Sequence, residues 1–134
     1  IDNNNANEKI ISTTFKHSNE TAQAGYYSVK LDNGIDVELT ATTRVGLHKY
    51  TFNKKGKTKV VLDLNHRDQL LQGEIKLVGN NAVEGIRRSK AWAQNQTLYY
   101  YIEFSEPIAE HSKLVANKND LECVFQFNLM TKKN

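Results

Sequence analysis

The sequence of 134 residues is poor in cysteine, proline and tryptophan, with one residue of each. The single cysteine, Cys123, excludes an intrachain disulfide and any zinc site built from several thiolates. It is followed by the apolar residues Val124 and Phe125, so we expect Cys123 to be a small buried core residue rather than a reactive thiol. A disulfide framework therefore does not define this fold.

Long apolar runs and a strong charge of one sign are also missing. No segment approaches the roughly 20 apolar residues that a membrane helix needs, so we expect no membrane span. The formal net charge is only +3, and the lysines are scattered along the chain. Nucleic-acid binding uses a concentrated basic patch, so we expect no nucleic-acid partner.

Signatures of metal binding and of catalysis are missing as well. The four histidines are His17, His48, His66 and His111. None of them has the spacing to another His or Cys that is typical of a metal site, and the chain has no Gly-x-Ser-x-Gly elbow and no glycine-rich phosphate loop. We therefore expect no metal ligands and no catalytic residue in this chain.

The sequence does contain apolar and polar residues that alternate with period two. Residues 27–31 and 35–39 alternate on either side of Asp32-Asn33-Gly34, a turn sequence that tolerates positive φ and therefore predicts a hairpin. Further strands are predicted over residues 45–52, 59–64, 73–78, 82–88, 98–104 and 121–129. Helical signals are confined to one short turn at 65–71 and a loop or helical turn at 108–118. Many short strands at about ten-residue spacing predict a single-domain, all-β antiparallel sandwich.

The first 14 residues, 1–14, read as a polar lead-in, and residues 15–134 as the sandwich domain. The chain begins Ile1-Asp2-Asn3, without an initiating Met or a signal peptide. We interpret this as an artificial or processed start, and we expect the natural protein to extend upstream and downstream.

Acidic residues occur in two places where they could carry chemistry. Asp36 and Glu38 alternate with apolar residues of a hairpin strand, so we interpret them as the solvated face of that strand rather than as a catalytic acid and base. Asp63 and Asp68 flank the polar segment 65–67, for which we predict capping and loop hydrogen bonds. Ligand binding is the alternative for that segment.

The single tryptophan, Trp92, lies among Arg, Asn and Gln residues between two predicted strands. An exposed indole in such surroundings is typical of a sugar-binding platform, because the ring stacks on the apolar face of a pyranose. A single tryptophan is more often a core or interface residue, so we favour the interpretation that Trp92 fills the core where the loop crosses the end of the sandwich.

Three stretches together carry a resemblance to a known family. They are Phe15-Lys16-His17-Ser18-Asn19-Glu20 with residues 24–31, the long run of residues 35–52, and residues 85–92 with the segment 99–107. This succession resembles the N-terminal domain of glycoside hydrolase family 92, the exo-acting α-mannosidases common in gut Bacteroidetes, over residues 15–110. The chain departs from the family at Lys16, where relatives tend to have a small residue.

The resemblance implies a two-domain enzyme, in which a β-sandwich of the galactose-mutarotase or supersandwich type packs on an (α/α)₆ barrel. It implies an inverting enzyme that uses calcium and hydrolyses mannose-containing glycans. The acid, the base and most calcium ligands belong to the barrel, so this chain alone would be inactive and would hold no cofactor. It also implies a secreted, periplasmic or cell-surface location.

In family terms, His17, Glu20, Arg44 and Trp92 are candidates for carbohydrate binding or for the interface with the barrel. We place Arg44 in a strand that is otherwise apolar on one face, where it would pair with a carboxylate of the barrel. An apolar surface left exposed without the barrel would favour a homodimer. A stand-alone carbohydrate-binding module is the alternative function.

Overall fold

The computed structural model describes residues 12–53, 55–111 and 121–129, which form ten β-strands and no helix. Their contacts divide into two compact units, an N-terminal unit with strands β1–β4 and a C-terminal unit with strands β5–β10. The strands are β1 (Phe15–Gln23), β2 (Tyr26–Leu31), β3 (Ile35–Ala41), β4 (Gly46–Phe52), β5 (Gly56–Asp63), β6 (Gln69–Val78), β7 (Ala82–Lys90), β8 (Gln96–Glu103), β9 (Glu110–His111) and β10 (Glu122–Leu129).

The N-terminal unit is an antiparallel meander in which β1, β2, β3 and β4 are neighbours in chain order. The predicted hairpin between β2 and β3 is confirmed. Gly34 has a φ of 84°, which favours glycine, and its N–H donates to the carbonyl oxygen of Leu31 at 2.9 Å. The Asn33 side chain accepts a hydrogen bond from the Ile35 N–H at 3.2 Å, as an Asx turn does.

The two faces of this meander differ as the alternation predicts. Val29, Ile35 and Val37 are buried on one face. On the opposite face the Glu38 carboxylate accepts a hydrogen bond from the Tyr26 hydroxyl at 3.0 Å and pairs with the Lys49 ammonium at 2.6 Å. These two contacts, chiefly that with Lys49, lower the pKa of Glu38. The polar face of β3 is therefore the charged, partly solvated surface that the sequence predicts.

The C-terminal unit is a sandwich of two three-stranded antiparallel sheets, in the orders β5-β10-β9 and β6-β7-β8. Side chains of both sheets share one core. Phe125 and Phe127 of β10 contact the ring of Phe104, with centroid distances of 5.7 and 4.9 Å. The buried core residues are Leu64, Leu70, Ile75, Val83, Leu121, Cys123, Phe125 and Phe127. The predictions of an all-β sandwich and of a buried Cys123 are confirmed.

The loop between β5 and β6 has the hydrogen-bonding role predicted for it. Asp63 accepts a hydrogen bond from the Asn65 N–H at 2.8 Å, and the Asn65 side chain accepts one from the Leu121 N–H at 3.0 Å. From β7, the Arg87 guanidinium donates to the carbonyl oxygen of Leu64 at 2.9 Å. The segment is thus tied to both sheets through polar contacts.

Some sequence predictions for local structure are wrong. The helical turn predicted at 65–71 is absent, since the chain bends through residues 64–68 and β6 already begins at Gln69. Strand β1 was not predicted, because its sequence lacks apolar alternation. The two-residue strand β9 lies within the segment 108–118 predicted as a loop or helical turn, of which residues 112–118 lie outside the described residues. Residues 1–11 of the predicted polar lead-in also lie outside them.

Candidate functional site

His17 and Glu20 are brought together by the structure, and Tyr27 joins them. One carboxylate oxygen of Glu20, Oε1, lies 2.6 Å from Nδ1 of His17. The other, Oε2, accepts a hydrogen bond from the Tyr27 hydroxyl at 2.7 Å. We call these three residues the His17–Glu20–Tyr27 cluster. The Glu20 side chain is 25% exposed and that of His17 is 92% exposed, so the cluster presents its imidazole to the outside.

An irregularity in β1 gives this cluster its shape. Phe15 pairs with Leu31 and Glu20 pairs with Val29, so four residues of β1, 16–19, lie opposite the single residue Lys30. Bulges of this kind re-aim side chains at the edge of a sheet. Because Glu20 lies directly opposite Val29, its carboxylate is on the same face of the sheet as Tyr27, two residues away along β2.

The electrostatics of the cluster favour an ionised Glu20. The hydrogen bond from His17, followed by that from Tyr27, lowers the pKa of the Glu20 carboxyl. The same carboxylate raises the pKa of the Tyr27 hydroxyl, because the protonated phenol is the hydrogen-bond donor. An ionised carboxylate can only accept hydrogen bonds. The proton between His17 and Glu20 therefore belongs to Nδ1 of the imidazole.

Arg44 lies apart from this cluster, and the prediction that it belongs to a strand is wrong. It sits in the exposed turn between β3 and β4, which is closed by hydrogen bonds between Thr42 and Val45. The polar sequence Thr42-Thr43-Arg44 forms this turn because the apolar alternation stops at Ala41. Among the residues that the structure describes, no carboxylate lies within ion-pair distance of Arg44.

Trp92 belongs to the C-terminal unit, in the loop between β7 and β8, and its side chain is 99% exposed. The interpretation that it fills the core is therefore wrong. Two residues of β8, Tyr99 and Tyr101, are also exposed, at 73% and 57%. Their spacing of two places both rings on one face of the strand, opposite Ile86 and Glu84 of β7.

Sequence reasoning missed Tyr27 as a site residue and did not separate the roles of the three consecutive tyrosines. Tyr27 could be found only from the pairing of β1 with β2, and β1 has no apolar alternation. The period-two rule does separate Tyr100, which points into the sandwich, from Tyr99 and Tyr101, which point out of it.

Metal binding has no support from the described residues. Within residues 12–53, 55–111 and 121–129, no group of three or more His, Cys, Asp or Glu side chains could hold a metal ion. In this same part of the chain, no helix is long and apolar enough to cross a membrane.

Known proteins resemble this chain in sequence and in fold. The family model of the glycosyl hydrolase family 92 N-terminal domain matches residues 1–133. Two solved structures from Bacteroides thetaiotaomicron are similar. One is the family GH92 α-mannosidase BT3965, with a TM-score of 0.74 and 18% identity over 87% of this chain and 19% of that chain. The other is the inverting mannosidase BT2199 of family GH92, with a TM-score of 0.69 and 25% identity over 90% of this chain and 18% of that chain.

The chain thus spans about a fifth of the length of each of these solved relatives. A search of curated proteins finds no match.

Proposed function

Because this chain belongs to the glycosyl hydrolase family 92 N-terminal domains, we propose that it is the non-catalytic β-sandwich domain of an α-mannosidase. In this proposal the domain packs against and supports a catalytic (α/α)₆ barrel of the same polypeptide. The family match over residues 1–133 carries the proposal. The coverage of 18–19% of two solved mannosidases supports it, because most of such an enzyme lies outside a domain of this size.

The chemistry belongs to the rest of the enzyme in this proposal. Inverting glycosidases use one carboxylic acid to protonate the leaving group and one carboxylate to activate a water. We assign both, together with the calcium ligands, to the barrel. The whole enzyme hydrolyses mannose-containing glycans by inversion and is secreted, periplasmic or on the cell surface.

The surface that meets the barrel includes Trp92. An indole that is 99% exposed in this chain is typical of a residue covered by a partner, since aromatic side chains are enriched at interfaces. Without the barrel, the same surface favours a homodimer of the isolated chain. Arg44 and the His17–Glu20–Tyr27 cluster, whose His17 side chain is exposed, are further candidates for this interface from the N-terminal unit.

Association and activity test the proposal together. The chain would be produced with a tag alongside the remainder of its polypeptide, and hydrolysis of an aryl α-mannoside would be followed. We expect the two parts to co-purify, and we expect Trp92→Ala to weaken their association by about tenfold or more. Lys90→Ala, a change at another exposed residue near the same loop, is the matched control. Equal co-purification of wild type and Trp92→Ala would contradict a role for Trp92 at the interface.

A stand-alone carbohydrate-binding module is the second candidate function, and the exposure of Trp92 favours it. The indole and the outward rings of Tyr99 and Tyr101 are the exposed aromatic groups that could stack on sugars. Calorimetric titration of the isolated chain with mannosides separates the two candidates. Millimolar or tighter binding that disappears in Trp92→Ala would favour the module, whereas no binding, or binding that Trp92→Ala leaves unchanged, favours the supporting domain.

A further inference from the structure

In the His17–Glu20–Tyr27 cluster, Nε2 of His17 is the ring nitrogen that the contact with Glu20 leaves open, and that contact fixes its direction. Both oxygens of the Glu20 carboxylate are occupied, by His17 at 2.6 Å and by Tyr27 at 2.7 Å. In the neutral form of the ring, a proton on Nδ1 that is donated to Glu20 leaves the lone pair on Nε2, where it can accept a hydrogen bond. A carboxylate in this position fixes both the tautomer and the ring orientation of a histidine.

A purely structural role explains this arrangement poorly. A contact with a side chain that is 92% exposed adds little to stability, and the Glu20 carboxylate is already held by the Tyr27 hydroxyl without it. The bulge at 16–19 interrupts the pairing of β1 with β2 and places His17 outside the regular ladder. The bulge loses backbone pairing, and the contacts of His17 within this unit do not offset that loss.

The surroundings of His17 match a sugar better than they match an ion. The Phe15 ring meets the His17 ring edge to face, with a centroid distance of 5.9 Å, and is itself 42% exposed. Lys16, Ser18 and Asn19 of the bulge are exposed polar residues. An apolar ring beside several hydrogen-bonding groups suits a pyranose, which has an apolar face and a rim of hydroxyls.

We propose that His17 is a ligand-positioning residue whose Nε2 accepts a hydrogen bond from a hydroxyl group of an α-mannoside, with Glu20 and Tyr27 holding the imidazole in place. The choice of mannose rests on the proposed function. The geometry of the cluster, and the choice of a hydroxyl group as its ligand, are independent of the proposed function.

Nitrogen NMR of the imidazole rings tests this inference on the chain itself. We expect the His17 ring to be protonated at Nδ1 and unprotonated at Nε2, and titration with methyl α-D-mannoside to shift its Nε2 resonance in a saturable manner. His48 is a matched control in the same spectrum, because its Nδ1 lies 3.0 Å from the Tyr50 hydroxyl with no carboxylate in the contact. Its resonances should stay unchanged.

Variants separate positioning from general structural effects. Glu20→Gln should weaken mannoside binding about tenfold and alter the tautomer of His17, while Tyr27→Phe should give a smaller loss. His17→Gln, at a 92% exposed side chain, should leave the folded spectrum intact and abolish the mannoside binding that calorimetry measures. An unshifted His17 ring at the highest soluble mannoside concentration, or an unchanged affinity in His17→Gln, overturns the inference.

Failure of the proposed function has a different signature. That proposal fails if the whole protein does not hydrolyse an aryl α-mannoside, whatever the His17 resonances do. A saturable shift of the His17 resonance in a protein that hydrolyses no aryl α-mannoside would support the binding site and contradict the proposed function.

Discussion

At the scale of single residues, the absence of a side chain at Gly85 makes room for Tyr100 in the β6-β7-β8 sheet. Tyr100 of β8 lies opposite Gly85 of the central strand, and its hydroxyl donates to the Glu74 carbonyl oxygen of β6 at 2.7 Å. The tyrosine thus reaches across β7 to the third strand. Only glycine leaves room for it, because a Cβ at position 85 would collide with that carbonyl and would lie 2.5 Å from the Tyr100 hydroxyl oxygen.

Gly85→Ala should therefore destabilise the protein. The added methyl group must displace backbone or the Tyr100 ring, and overpacking of this kind lowers the free energy of unfolding by about 1–3 kcal/mol. Urea denaturation measures the change. Gly46→Ala is the control, since a Cβ there would meet only His48 at an ordinary 3.7 Å. Equal stabilities for the two variants would contradict the close contact.

The ionisation of Tyr100 gives a second prediction at this scale. Burial, with smaller contributions from Cys123 and Glu74, raises the pKa of Tyr100 from its ordinary 10 to about 12. Between these pH values the unfolded chain loses the phenolic proton while the folded chain keeps it, so the free energy of unfolding falls as pH rises. Urea denaturation below pH 10 and towards pH 12 should show a weaker fall for Tyr100→Phe than for wild type. Tyr99→Phe, at an exposed ring, should behave as wild type.

At the scale of strands and loops, turn chemistry and alternation predict much of the fold. Asp32-Asn33-Gly34 specifies the hairpin that the structure contains, and the alternation of 35–39 assigns Ile35 and Val37 to the buried face. Strand β1 could not be predicted, because β2 pairs with it through the backbone while its own side chains are polar and mostly exposed. The part of the site that depends on β1, the contact of Glu20 with Tyr27, was hidden for the same reason.

Arg87 and its neighbour Arg88 give a prediction about the β5–β6 loop. Arg87 points into the sandwich, where its guanidinium donates to the carbonyl oxygens of Leu64 and His66 at 2.9 and 3.3 Å. Arg87→Ala leaves the Leu64 carbonyl without this donor, so we expect a loss of about 1–3 kcal/mol in the free energy of unfolding. Arg88 points to the other face, and its Nε has no hydrogen-bond partner among the described residues. Arg88→Ala should cost less. A reversed order in urea denaturation would contradict the assignment.

Trp92 is the only tryptophan of the chain, so tryptophan fluorescence reports on this side chain alone. A side chain that is 99% exposed should emit at the wavelength of a solvated indole and be quenched freely by acrylamide. Trp92→Ala should change the free energy of unfolding by less than about 0.5 kcal/mol, because it removes no buried contact. A blue-shifted, protected emission from monomeric chain would show that the ring is covered.

At the scale of the whole molecule, the chain is a glycosyl hydrolase family 92 N-terminal domain whose described residues form ten β-strands. Its fold could be predicted from alternation and turns, whereas its family could be predicted only from the resemblance of long stretches such as residues 35–52. The substrate could not be predicted from the alternation of strand residues, because that pattern reports only which side chains are buried. In our proposal, the function of this domain depends on the rest of the polypeptide, since the chain covers only 18–19% of two solved relatives.

Complementation of α-mannosidase activity tests the central claim most directly. This chain, the remainder of its polypeptide and an equimolar mixture of the two would each be assayed with an aryl α-mannoside. We predict no hydrolysis by the chain alone, and hydrolysis by the mixture that exceeds that of the remainder by itself. Hydrolysis by the chain alone, or a remainder whose activity does not change when the chain is added, would contradict the account.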